Sequence, residues 1–141
     1  MKTEPETYSF KQLIKDGSTN WNGVRNFQAR NFLREAKPGD FALIYHSGSE
    51  RAVVGISKVV AAAYSDPDSE HPGDWVQIDL EPIQELKQPV SLGELKKDKR
   101  FSDMYLLRQS RLSVMPLSKK HYEEILKLSE TLQTKVGAKS K

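Results

Sequence analysis

Thirteen consecutive residues, Trp21-Asn22-Gly23-Val24-Arg25-Asn26-Phe27-Gln28-Ala29-Arg30-Asn31-Phe32-Leu33, concentrate side chains able to grip something polar. Three are asparagines, two are arginines, and no acid falls between Ser18 and Arg34. Asparagine is a poor helix-interior residue, and each guanidinium presents a rigid fork of donors. A helix that only had to bury one face would not need this composition. The residue types suit a flat, polar, anionic ligand such as a nucleotide. An extruded base needs an aromatic face to stack on, a few fixed donors and acceptors for its edge, and cations near its phosphates. Trp21, Tyr45 and Trp75 are candidate stacking faces. Asn26, His46, Ser47 and Ser113 are candidate edge readers, and Lys2, Arg25 and Arg30 candidate phosphate partners.

Other chemistries fit less well. His46, His71 and His121 are far apart, show no helical pairing and have no cysteine to join, so the sequence gives no metal site and no cofactor. His46 and Ser47 are adjacent, but neighbours on a strand point to opposite faces. Gly48-Ser49-Glu50 is not a nucleophile elbow, and neither a Walker-type nor a dinucleotide fingerprint is present.

The chain of 141 residues is long enough for one domain with a real core, and 37% hydrophobic with 29% charged residues is ordinary for a soluble globular protein. No apolar run approaches a membrane span, and the start does not read as a signal peptide. An intracellular protein is expected, cytoplasmic in a bacterium or nuclear in a eukaryote. The net charge of +3 equals the contribution of Lys135, Lys139 and Lys141, which lie in a tail without acids. The rest is neutral but segregated. Residues 64–85 carry seven acids and no Lys or Arg, whereas residues 96–111 carry six basic groups against Asp98 and Asp103. Such polarity suits a positive face turned to phosphate.

The elements that must position these groups can be read in order. Ser9 and Gln12 form a capping box, with Tyr8 stapling onto Leu13, for a helix Phe10–Asp16 that stops at Gly17. Trp21-Asn22-Gly23 reads as a loop and Val24 to Ala36 as a helix burying Ala29, Phe32, Leu33 and Ala36. Lys37-Pro38-Gly39-Asp40 is a type II turn. Phe41–Ser47 is a buried strand, Gly48-Ser49-Glu50 a hairpin loop, and Ala52–Tyr64 a long strand in which Gly55 invites a bulge or close approach. Ser65–Asp74 is a surface loop, and Trp75–Ile83 alternates as a half-wet strand. Ser91 and Glu94 form a second capping box for a short helix through Asp98, followed by an irregular basic stretch. Leu112–Leu117 reads as an edge strand, and Ser118 caps a last helix burying Tyr122, Ile125, Leu126 and Leu132. This order gives an α+β protein, a curved sheet or small barrel flanked by helices. One domain over residues 1–132 and a frayed basic tail at 133–141 are expected, with a monomer favoured.

Four segments in this order carry a resemblance: Lys2-Thr3-Glu4-Pro5, Trp21-x-Gly23-Val24-Arg25-Asn26-x-Gln28-Ala29-Arg30-Asn31, Gly39-Asp40 with Tyr45-His46-Ser47, and Arg111-Leu112-Ser113-Val114-x-Pro116. Together they resemble the EVE domain family over residues 2 to about 128. The resemblance implies a PUA-like fold, a strongly bent β-barrel flanked by helices, with no catalytic activity of its own. It implies nucleic acid, DNA or RNA, as the partner and a modified base, notably modified cytosine, in an aromatic-lined pocket. Carried over, the ligand-binding positions are Lys2, Glu4, Trp21, Val24, Arg25, Asn26, Tyr45, His46, Ser47 and Ser113. Two departures stand out. The short aromatic and apolar strand that family members carry before the Lys-x-Glu-Pro segment is expected to be partly missing, and the loop Ser65–Asp74 is short. Two other readings remain open: an RNA-binding module indifferent to modification, suggested by the basic 96–111 stretch, and an enzyme on a nucleotide or small metabolite using His46 and Glu4.

Overall fold

The computed structural model describes residues 1–6, 8–22, 24, 26–66, 75–109 and 112–129. Its elements run β1 (Lys2–Thr3), α1 (Phe10–Asp16), β2 (Thr19–Trp21), α2 (Phe27–Glu35), β3 (Phe41–His46), β4 (Ala52–Ser65) and β5 (Val76–Ser91). They continue with α3 (Leu92–Lys97), a 3-10 turn (Lys99–Phe101), α4 (Tyr105–Arg108) and α5 (Lys119–Leu128). The α+β class expected from the element order is the one adopted. The five strands form a mixed sheet in the order β1-β3-β4-β5-β2. β1 runs parallel to β3 and every other pair is antiparallel.

The sheet is covered on both faces, and strand alternation explains which residue goes where. Ile44 packs in one cluster with Phe10, Leu13, Ala29 and Leu33 of α1 and α2. Its neighbours Leu43 and Tyr45 join the other cluster, with Leu95, Phe101, Tyr122 and Ile125. On β4, Val54 belongs to the first cluster and Val53 to the second, yet Ile56 falls with Val53. A register slip between Val53 and Gly55 accounts for this change of parity. Further slips along β4 and β5 bend the sheet. Among the described residues it remains open, with β1 and β2 as its edges.

Several local readings need correcting. Trp21 belongs to β2, paired with Ile78 of β5, instead of a loop. The next helix begins at Phe27, three residues later than periodicity suggests, because Asn26 turns extended and its side chain accepts the Ala29 N–H. Gln12 does not close the capping box of α1. Ser9 caps, but the Gln12 amide donates to Asp16 Oδ1, and the Tyr8 hydroxyl donates to Asp16 Oδ2. The second box, Ser91 with Glu94, is complete. β5 continues beyond Ile83 to Ser91, and it accommodates Pro82 and Pro89 along its length. Three-residue β2 covers it only from Ile78 to Leu80, so the rest borders a single strand, where a missing N–H is tolerated. Leu112–Leu117 is not a strand; the described residues there run without regular structure, Leu112 and Val114 being buried. Most of the Ser65–Asp74 loop, Leu132 and the 133–141 tail lie outside the described residues.

Candidate nucleic-acid interface

The expected site residues come from two edges of the sheet. At one edge, β1 lies beside β3 with Lys2 opposite Tyr45 and Thr3 opposite His46. The backbone N–H of Tyr45 donates to Met1 at 2.7 Å and that of Ser47 to Thr3 at 2.8 Å. The Lys2 N–H donates to the Ser113 carbonyl at 2.9 Å, so the 112–117 segment closes over the outer side of β1. Lys2, Tyr45, His46, Ser47 and Ser113 are thereby gathered around one two-residue strand, with exposed Glu4 immediately after it. The Lys2 ammonium stands 6.0 Å from the centre of the Tyr45 ring. Burial lowers the Lys2 pKa from its usual value and raises that of Tyr45, with Arg51 opposing the latter shift.

At the other edge is Trp21 of β2. Tyr8 joins the two. Its carbonyl accepts the Thr3 hydroxyl at 2.8 Å, its N–H donates to the Glu4 carbonyl, and its ring meets Trp21 edge-on at 6.4 Å. The sheet therefore bends far enough to bring its first and last strands to the same residue. Trp21 is half-buried, Val24 buried and Asn26 exposed. Arg25 lies outside the described residues.

His46 is buried and engaged on both ring nitrogens. Nε2 accepts the Phe10 N–H at 3.0 Å, and Nδ1 lies 2.7 Å from Glu50 Oε1. Its expected role as an edge reader competes with this internal work. The Asn26 side-chain oxygen is likewise used as the α2 cap, which leaves its amide donors facing solvent. Of the basic 96–111 stretch, Arg100 is spent internally, on Asp98 and Glu124. Its hydrogen bonds hold the Asp98 carboxyl below the usual carboxylate range.

A groove of about 620 Å³ opens on the Tyr45 side of β3, bounded by Lys2, Phe32, Leu43, Met104, Met115 and Tyr122 among others. It is chiefly apolar, and Lys2 and Tyr45 are the expected site residues that border it. Among the described residues no group of three or more His, Asp or Glu is placed to hold a metal ion, and no helix is long and apolar enough to cross a membrane.

Sequence reasoning missed two participants in this region. Tyr8 was assigned to a helix staple, although its sequence position between the Lys-x-Glu-Pro segment and α1 is what lets it link both edges. Phe27 was passed over entirely. It begins α2 off the buried Ala29–Leu33 stripe, stacks on Trp75 at 5.0 Å between ring centres, and is 63% exposed. An aromatic off the apolar stripe of Ala29, Phe32, Leu33 and Ala36 was the available signal.

With β1 threaded beside β3 and the Trp21 edge folded back onto Tyr8, the chain belongs to the EVE domain family, whose model, described as "EVE domain", matches residues 1–128. It is 32% identical to human thymocyte nuclear protein 1, over 92% of this chain and 72% of that protein. Among solved structures, Rpa0253 from Rhodopseudomonas palustris is similar with a TM-score of 0.88 at 34% identity, covering 94% of this chain and 92% of that one. Human THYN1, crystallised in complex with 5-methylcytosine-containing DNA, is similar with a TM-score of 0.84 at 32% identity, covering 92% and 95%.

Proposed function

We propose that this chain is a nucleic-acid-binding module without catalytic activity that reads a modified nucleobase, modified cytosine or a close relative, in single-stranded or flipped form. The observation that carries this reading is the likeness, along nearly all of both chains, to a human protein held in complex with 5-methylcytosine-containing DNA. The local chemistry agrees. Trp21 supplies a half-buried π face, worth about 1–3 kcal/mol for a stacked base, and Tyr45, itself buried, borders the groove. Asn26, Ser47 and Ser113 supply polar groups for a base edge, and a mismatched edge would leave buried groups unpaired at about 1–3 kcal/mol each. Lys2 stands beside Tyr45 for a phosphate, with Glu4, Val24 and Arg25 completing the set that the family resemblance implies. Extruding a base from a duplex costs a few kcal/mol, so single-stranded or locally opened substrate is favoured.

Binding of short oligonucleotides carrying plain, methylated or hydroxymethylated cytosine, to wild type and Trp21→Ala, tests the proposal. A preference for one modified base that disappears in Trp21→Ala is expected. Equal binding of all three bases, or a preference untouched by Trp21→Ala, overturns it. The competing readings draw less support. Arg100, at the heart of the basic stretch, is already paired, and His46 is committed on both nitrogens.

A further inference from the structure

Phe27 is the most exposed large hydrophobic side chain among the described residues, ahead of Ile14, Tyr64 and Val60. Its exposure is not idle. One ring face lies on Trp75, with the planes inclined by 26°. The Arg30 guanidinium, one helical turn further along α2, stands 4.9 Å from the Phe27 ring centre and 5.8 Å from that of Trp75. A ring 63% exposed with one face covered presents its other face to solvent. The surroundings are polar: Asn26, Gln28, Asn31 and Arg34 are all exposed. The stretch between Ser18 and Arg34 contributes no acid.

An apolar protein partner would want a contiguous hydrophobic patch. A single flat ring, backed by a second ring and flanked by a cation, instead matches what an unpaired nucleobase and its phosphate need. We infer that Phe27, Trp75 and Arg30 form a second stacking platform, which takes another unpaired base of the strand whose modified base is read by the module. This rests on the nucleic-acid reading above and adds to it a contact that is indifferent to modification, since every base has a π face. The chain would then hold a strand at two points, one selective and one general.

The experiment is a titration of wild type, Phe27→Ala, Phe27→Leu and Phe27→Tyr with two single-stranded oligonucleotides. One carries 5-methylcytosine among ordinary bases, and the other carries it with abasic positions on both sides. Phe27→Ala and Phe27→Leu should each weaken binding of the first by roughly 5- to 150-fold. Phe27→Tyr should retain it. The abasic oligonucleotide should bind wild type more weakly and be insensitive to all three changes. Wild-type affinity in Phe27→Ala and Phe27→Leu overturns the platform and leaves the reader intact. Retention in Phe27→Leu alone also overturns it, because leucine covers Trp75 without a π face. No binding of either oligonucleotide by wild type sinks the reader and the platform together.

Discussion

The Nε2 of His46 accepts the backbone N–H of Phe10 at 3.0 Å, joining the last residue of β3 to the first residue of α1. An accepting Nε2 carries no proton, so the ring's proton sits on Nδ1 and is donated to Glu50 Oε1 at 2.7 Å. The first N–H groups of a helix have no partner within it. His46 answers one of them from the sheet and fixes where α1 starts. In the same step it anchors the backbone that presents Tyr45 and Ser47 to β1.

Replacing His46 by Ala therefore strands a buried donor. A loss of about 1–3 kcal/mol in stability is expected, measured by urea unfolding. Glu50→Gln retains an acceptor for Nδ1–H and should cost less. A His46→Ala protein as stable as wild type would show that the Phe10 contact contributes nothing.

Gly55 supplies a second check on how α1 meets the sheet. A Cβ there would lie 2.5 Å from two atoms of the Phe10 ring, which is itself fully buried. Gly55→Ala should destabilise by about 1–3 kcal/mol through overpacking. Pairing it with Phe10→Leu should cost less than the two single changes summed, since both act on one contact. Strict additivity in a thermal or urea cycle would refute the steric account.

These two contacts mark how much the sequence alone conveys. Glycine inside β4 signalled a bulge or a close approach, and the structure has both: a register slip at Gly55 and the Phe10 ring against it. The α+β order, α1, α5 and the second capping box followed from apolar spacing and cap residues, which act over a few positions. What was not legible depends on distant partners. Trp21 is a strand only because Ile78 lies opposite it. Leu112–Leu117 alternates like a strand, yet none of the described residues pairs with it as a ladder, and it contributes the Ser113 carbonyl to Lys2 instead. The site shows the same division. Its residue types were visible in the motifs, but the joining of its two edges by Tyr8, and the engagement of both His46 nitrogens, arise only once the sheet bends.

Asn26 allows capping and ligand binding to be separated. Its oxygen accepts the Ala29 N–H at 2.9 Å, so Asn26→Ala should lower stability by about 1 kcal/mol. Asn26→Asp keeps that acceptor and places a negative charge at the helix N-terminus, where the dipole favours it. It removes the exposed amide donors, however, and repels phosphate. Stability should hold in Asn26→Asp while affinity for a 5-methylcytosine oligonucleotide falls. Unchanged affinity would assign Asn26 to capping alone.

Lys2 gives a pH and salt signature for the proposed interface. Burial lowers its pKa from 10.5, so the folded protein sheds this proton at a lower pH than the unfolded chain. Between the two values the unfolded state binds more protons, and stability rises with pH across that window. Ligand binding has the opposite sign. A phosphate beside Tyr45 favours the charged ammonium, so affinity should fall as pH rises through the lowered value, and the complex should take up a proton there. Lys2→Arg stays charged and should flatten this dependence. Lys2→Met should reduce the slope of log affinity against log salt by about 0.7 for a single strand if one phosphate contact is lost. Measured across salt and alkaline pH on one modified oligonucleotide, an unaltered salt slope in Lys2→Met would remove Lys2 from the interface. The Lys2 backbone would keep its bond to the Ser113 carbonyl.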